Sequence, residues 1–197
     1  MVAVKIMEAP QYGPMFRFTD ASVYWALHVL SDGRRIGRKR LSEMVGVGEG
    51  SMRRILNTLK ERDMITIKQT GITITKVGSD YLEKIPIRVI DLNPRSLVIG
   101  EHTQAVVVKG GAEKIGNGLQ QRDAGIRAGS RGCTTLIVSD GKIMLPPDWS
   151  IDENNPDIAA DIHALEIVSD GDAIIIGGAD DQYVALSAAL TAAFEIV

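Results

Sequence analysis

The sequence has one cysteine, Cys133, so no intrachain disulfide can form. It also has no long apolar run: stretches such as Ala173-Ile174-Ile175-Ile176 fall far short of the roughly 20 residues a membrane-spanning helix needs. The N-terminus carries Lys5 and Glu8 in a short mixed segment, with no signal-peptide h-region. A cytoplasmic protein without membrane association is the expectation. Histidine is scarce: His102 and His163 are isolated, and no His/Cys/Asp set has metal-ligand spacing. The nearest approach is Asp157, Asp161 and His163, which helix-N-terminal acids and a solvated face explain as well. Cys133 lacks a neighbouring base and, beside a strand, reads as core. No catalytic residue, metal or cofactor is therefore expected, and the chain is not read as an enzyme.

What is present is a strong asymmetry of charge. The 197 residues carry a net charge of −3. Residues 1–86 hold 14 Lys and Arg against 9 Asp and Glu, a net of +5, whereas residues 87–197 hold 8 against 16, a net of −8. A basic module suited to a polyanion, joined to an acidic module with another task, accounts for the division. The domain boundary is expected at Ile85-Pro86, giving domains 1–86 and 87–197.

The basic half contains its own organising stretch, residues 36–75. Met52, Ile55, Leu56 and Leu59 recur at helical spacing and give one apolar face. Arg53, Arg54 and Asn57 are left for the outer faces and are types that contact phosphates or base edges. Gly46 suits a turn requiring positive φ between this helix and one over 38–45, and Ser51 lies in the first helical turn, able to bond backbone or phosphate. Five cations, Arg34, Arg35, Arg38, Lys39 and Arg40, precede the pair of helices, where the first helix of such a motif crosses the phosphate backbone. After the second helix, 64–68 and 72–75 alternate apolar and polar around Gln69-Thr70-Gly71, a hairpin with Lys68 and Gln69 at its tip. Upstream, Pro10, Gly13 and Pro14 make residues 1–18 an irregular lead-in. A helix capped by Thr19 or Asp20 runs to about Leu30. Its Tyr24 and Trp25 serve either as core or dimer-packing residues or as a base-stacking platform. A short helix from Lys76 ends before Pro86.

Residues 36–84 resemble the winged helix-turn-helix of prokaryotic transcriptional regulators. Leu41, Gly46-Val47, Met52-Arg53-Arg54, Leu56, Leu59, Met64-Ile65 and Thr75-Lys76-Val77-Gly78 carry the resemblance. Gly48 departs from the Ser common at the helix N-cap, and Gly50 weakens the first turn by about 1 kcal/mol. The layout of the whole chain resembles an archaeal family of winged-helix proteins, the DUF4443 group, which implies a regulator-like role and supplies no ligand.

The acidic half reads as a mixed α/β domain. Strands are expected over 87–91, 97–99, 105–108, 134–138, 142–145 and 173–176, with helices over 119–128, 157–166 and 180–194. Asp140-Gly141 makes a hairpin turn, 146–156 reads as a polar loop, and Asp180 and Asp181 read as helix caps. Ile-Val-Ser-Asp-Gly occurs at 137–141 and again at 167–171, which two hairpin-like turns explain. The glycine-rich loop 110–118 has two readings. Gly111 and Gly116 keep the spacing of the first two P-loop glycines, but Asn117-Gly118 replace the Lys-Ser/Thr that reaches phosphate and magnesium. The loop is either a connecting turn or an anionic-ligand loop built on Gly110, Gly111, Gly116 and Gly118, with Arg122, Arg127 and Arg131 in support.

Together these readings give an α+β protein of two domains, a winged helix followed by a mixed α/β domain. Its expected function is regulation of transcription by reading double-stranded DNA as a homodimer. Arg53, Arg54 and Asn57 would lie at the major groove, with Arg38, Lys39, Arg40, Ser51, Lys68 and Gln69 on the backbone or minor groove. The acidic domain would sense a small-molecule effector or pair with its twin. An enzyme with a fused winged helix, or an RNA-binding or protein-adaptor module, are the contrasting classes.

Overall fold

The computed structural model describes Ile6, residues 18–92 and residues 94–197. The lead-in expected over 1–18 lies, apart from Ile6 and Phe18, outside the described residues, as does Asn93. The chain divides into two compact units, Met1–Ile85 and Pro86–Val197.

The first unit runs α1 (Asp20–Leu30), α2 (Arg38–Val45), α3 (Glu49–Glu61), β1 (Ile65–Lys68), β2 (Gly71–Ile74) and α4 (Lys76–Lys84). Thr19 is the N-cap of α1, its N–H 3.4 Å from Ser22 Oγ. Tyr24 is buried, and the Trp25 indole donates to the Met44 carbonyl at 3.0 Å, tying α1 to α2. Both aromatics thus serve packing and not base stacking. Gly46 closes α2 in the left-handed region at φ 72°, as the two-helix turn requires. Gly48 and Gly50 make a poor helix start, yet α3 forms because Met52, Ile55, Leu56 and Leu59 are all buried. Each such side chain contributes on the order of 2 kcal/mol, which outweighs the propensity lost at a glycine.

The wing is the antiparallel pair β1–β2, with Ile65 opposite Ile74 and Lys68 opposite Gly71. It is anchored at its base. Ile36 and Ile72 exchange backbone hydrogen bonds of 3.1 and 2.9 Å, and the Arg35 guanidinium donates to Thr70 Oγ1 at 3.0 Å. Gly71, at φ +127°, lies so close to residues 35 and 36 that a Cβ there would stand 3.3 Å from both. Thr75 then links three elements: its hydroxyl donates to the Asp63 carbonyl at 2.6 Å and accepts the Gly78 N–H at 3.2 Å, capping α4.

The second unit runs β3 (Ile87–Ile90), β4 (His102–Val108), α5 (Leu119–Arg127), β5 (Gly132–Ser139), β6 (Lys142–Leu145), β7 (Trp149–Ser150), α6 (Ile151–Asn154), α7 (Pro156–His163), β8 (Ala173–Ala179) and α8 (Gln182–Ala193). Its sheet has the order β3-β4-β8-β5-β6-β7 with every neighbour antiparallel. On one face Ala105, Val107, Leu136, Val138, Ile174 and Ile176 pack with Ile151, Ala159 and Ile162 of α6 and α7. The other face carries α5 and α8. Alanines of α8 let its backbone approach so closely that a Cβ on Gly177 would stand 2.1 Å from the Ala185 carbonyl oxygen.

Several sequence expectations change here. The strand expected over 97–99 is not formed: Pro94 to Leu97 make a turn, closed by Leu97 N–H to Pro94 O at 2.9 Å. The next residues then cross the sheet face above glycines, with Ile99 O 2.3 Å from where a Gly178 Cβ would stand. The expected polar loop 146–156 contains β7 and α6, and Pro156 opens α7, where its missing N–H is no loss. The strand at 173–176 continues to Ala179. Asp181 alone caps α8, accepting from Tyr183 and Val184, while Asp180 pairs with Arg131 at 2.7 Å.

The two copies of Ile-Val-Ser-Asp-Gly lie side by side. Gly171 N–H donates to Val138 O and Gly141 N–H to Asp170 Oδ1, each at 2.9 Å. Beneath them Asp172 is buried and accepts from the Lys109 ammonium, the Gly110 N–H and the Ser169 N–H. Burial pushes its pKa up, but Lys109 and the two amides outweigh that and hold it below the usual carboxylate value.

Gly177→Ala forces backbone atoms apart and lowers the stability of the folded chain by about 2 kcal/mol or more, read by chemical denaturation. Gly116→Ala, where a Cβ meets nothing within 4 Å, stays within about 0.5 kcal/mol of the parent.

Candidate nucleic-acid interface

On α3 the apolar face is committed inward, so Arg53 and Asn57, one turn apart, share an outward face. That face looks onto the wing. Between them runs a groove of about 310 Å³, edged by Gly37, Arg38, Arg53, Asn57, Lys68, Gln69 and Thr70 and floored by Leu56, Ile67 and Ile72. Three cations and two side-chain amides thus surround an apolar floor in one concavity. Five of the nine residues named from the sequence, Arg38, Arg53, Asn57, Lys68 and Gln69, meet there.

The other four do not line it. Arg54 is exposed on α3 but projects about 100° around the helix from Arg53. Ser51 is half-buried in the first turn of α3, and Lys39 and Arg40 are exposed on α2. The basic cluster is partly occupied by acids: Arg40 lies 3.5 Å from Glu43, and Arg38 lies 3.9 Å from Glu49. Arg34 is held by Asp32, whose pKa the Arg34 N–H and guanidinium lower. Among the described residues Arg53, Lys39 and Lys68 take part in no ion pair.

Sequence reasoning missed Ile67 and Gly37. Period-two alternation puts Ile67 with Ile65 on one side of β1, but only Ile65 is buried; Ile67 is 43% exposed in the groove. The signal was available, since an apolar residue one step from a hairpin tip has little core left to reach. Gly37 gives the groove an open edge, with nothing within 4 Å of a Cβ placed there.

The glycine-rich loop of the second unit is spent on its own fold. The N–H groups of Gly110, Gly111, Ala112, Lys114 and Ile115 donate to Asp172, Val108, Gly171, Gly111 and Ala112. Gly118, at φ 74°, begins α5, and the Asn117 side chain accepts the Leu119 N–H at 3.1 Å. Gly116 stands in open space. Arg122 pairs with Asp123 at 3.0 Å and Arg131 with Asp180, so each already has an acidic partner. Of the weak set at 157–163, His163 pairs with Asp152 at 2.7 Å instead of with Asp157 or Asp161. Among the described residues no group of His, Cys, Asp and Glu could hold a metal, and no helix is long and apolar enough to cross a membrane.

These features define a winged-helix DNA-binding domain followed by an α/β domain. Residues 22–88 match the family described as "CggR N-terminal DNA binding domain", and residues 99–196 match the "Domain of unknown function (DUF4443)". The chain therefore carries a DNA-binding domain followed by a DUF4443 domain. Among solved structures it is similar to "Hypothetical protein PH0730 from Pyrococcus horikoshii OT3", with 27% identity and a TM-score of 0.72 over 91% of this chain and 93% of that one. No curated protein matches it.

Cys133 is buried against α5, and burial pushes its thiol pKa up to about 12. At pH 8 it is therefore a protonated, enclosed thiol. A thiol reagent added to the folded protein at pH 8 labels it at a small fraction of the rate seen in denaturant; equal rates would contradict the packing of α5 on β5.

Proposed function

We propose that the protein regulates transcription by binding duplex DNA with α3 in the major groove and the wing beside it, Arg53, Asn57 and Arg54 approaching base edges. Arg38, Lys39, Arg40, Ser51, Lys68 and Gln69 hold the backbone or the adjacent minor groove. The observation that carries this reading is the meeting of Arg38, Arg53, Asn57, Lys68 and Gln69 around one groove of the basic half. Arginine matches the acceptor pair of guanine and asparagine the acceptor–donor pair of adenine, so the two α3 residues suit direct readout. The wing-tip cation suits phosphate.

In this reading the acidic second domain joins two copies, so that two winged helices meet two half-sites, and it is also the place for sensing a small-molecule effector. Its net charge of −8 repels DNA and leaves the duplex to the basic half. The setting is the cytoplasm; that the cell is archaeal is supported by the likeness to the Pyrococcus protein. The contrasting readings are an enzyme with a fused winged helix and a winged helix that meets RNA or protein.

Binding to genomic duplex fragments, followed by fluorescence anisotropy across a salt series, tests the proposal. The parent binds selected duplexes with an affinity that falls steeply as salt rises. Lys68→Ala weakens all duplexes alike and flattens the log–log slope by about 1. Asn57→Ala costs about 1–3 kcal/mol on the preferred sequence and relaxes the preference at one position. A parent that binds no duplex at moderate salt overturns the reading.

A further inference from the structure

The groove between α3 and the wing holds more than a phosphate contact calls for. Its rim is positive: Arg38, Arg53 and Lys68 line it, and among the described residues that do so none is acidic. Arg38 reaches Glu49 only at 3.9 Å, with both side chains exposed. Among the described residues Arg53 and Lys68 take part in no ion pair, and Asn57 and Gln69 add two amides that can donate. The floor is of the opposite kind. Leu56 reaches it from α3, and Ile67 and Ile72 stand opposite each other on the two strands of the wing. Leu56 and Ile72 are buried, whereas Ile67 stays open to solvent.

Phosphate recognition asks for donors and positive charge, and the floor supplies neither. A neutral apolar molecule, in turn, would leave the cations unmatched. Size narrows the choice further. A volume of about 310 Å³ lies at the lower end of small-ligand pockets. A duplex, whose major groove admits a whole α-helix, is too broad to enter and lies across the mouth. The occupant that satisfies rim and floor together is a small organic anion. Its apolar body rests on Ile67, and its carboxylate, sulfonate or phosphate group meets the guanidinium of Arg53 and the ammonium of Lys68.

We propose that this groove is a binding site for a small organic anion, which competes with DNA for Arg53 and Lys68. The competition rests on the function proposed above; the binding itself does not. The two ligands exclude one another because the anion's charged group takes the cations that would hold the duplex. Each therefore lowers the affinity for the other by the same factor. The basic domain then answers a small molecule directly, whatever the acidic domain senses.

Titration of the isotope-labelled full chain, followed by amide NMR shifts, tests the site with three probes. Naphthoate has the apolar body and the charge, acetate the charge alone, and naphthylmethanol the body alone. Naphthoate shifts the amides of 56–57 and 67–70 and binds roughly tenfold more tightly than either of the others. Lys68→Ala and Ile67→Thr each weaken it about fivefold, the first through charge and the second through lost apolar surface. Both positions are exposed, so melting temperatures stay close to the parent's. In the anisotropy assay, naphthoate at about ten times its Kd raises the apparent Kd for a duplex about tenfold. Equal binding of naphthoate and naphthylmethanol, shifts confined to residues outside the groove, or no shifts at all overturn the site. Shifts in the groove with an unchanged duplex Kd overturn the competition. A parent that binds no duplex overturns the proposed function and the competition with it, while the titration still decides the site.

Discussion

The second domain depends on a place where side chains are missing. Gly177 and Gly178 are neighbours in the central strand β8, and successive strand residues point to opposite faces. On one side the backbone of α8 fills the space a Gly177 side chain would take; on the other the chain at Ile99 fills that of Gly178. Backbone packs on strand from both directions at one point. With α8 seated this closely over β8, α5 is left to pack over β5, where Gly125 meets Cys133.

In the first domain the controlling quantity is charge that is only loosely held. Arg34, Arg38 and Arg40 each face an acidic side chain, but the pairs are exposed. Exposed ion pairs are worth about 0–1 kcal/mol, so a phosphate can replace the carboxylate with little loss. Arg53 and Lys68 need no such exchange. The groove thus presents two grades of cation: open ones, Arg53 on α3 and Lys68 on the wing, and a lightly screened one, Arg38 on α2.

The winged helix was legible in the sequence because its signals are local: a four-residue apolar stripe, a glycine at a left-handed turn, and two alternating segments around a tip. The groove was legible only in part. Spacing places Arg53 and Asn57 on one face, but it cannot say which side of α3 the wing occupies, so Arg54 and Arg53 looked equivalent. In the second domain one misread strand and two readings left open share a cause. Residues 97–99 have the composition of a strand, and what decides their fate is a pair of glycines, Gly132 and Gly178, distant in the chain. Gly110 and Gly111 looked free to cradle an anion because sequence does not show that Asp172 and Val108 accept their N–H groups. Likewise the spacing of 157–163 could not reveal that Asp152, from the preceding helix, claims His163.

The bridge between Ile36 and Ile72, together with the bond from Arg35 to Thr70, makes the wing a fixed wall of the groove. A wall already in place has little conformational entropy left to surrender when a ligand arrives. Adaptation then passes to the other party. A duplex lying across this groove must bring its backbone to the spacing set by Arg38, Arg53 and Lys68, and sequences differ in how readily they bend or narrow to do so. The anchoring of a two-stranded hairpin thereby becomes a source of discrimination at base pairs that no side chain touches.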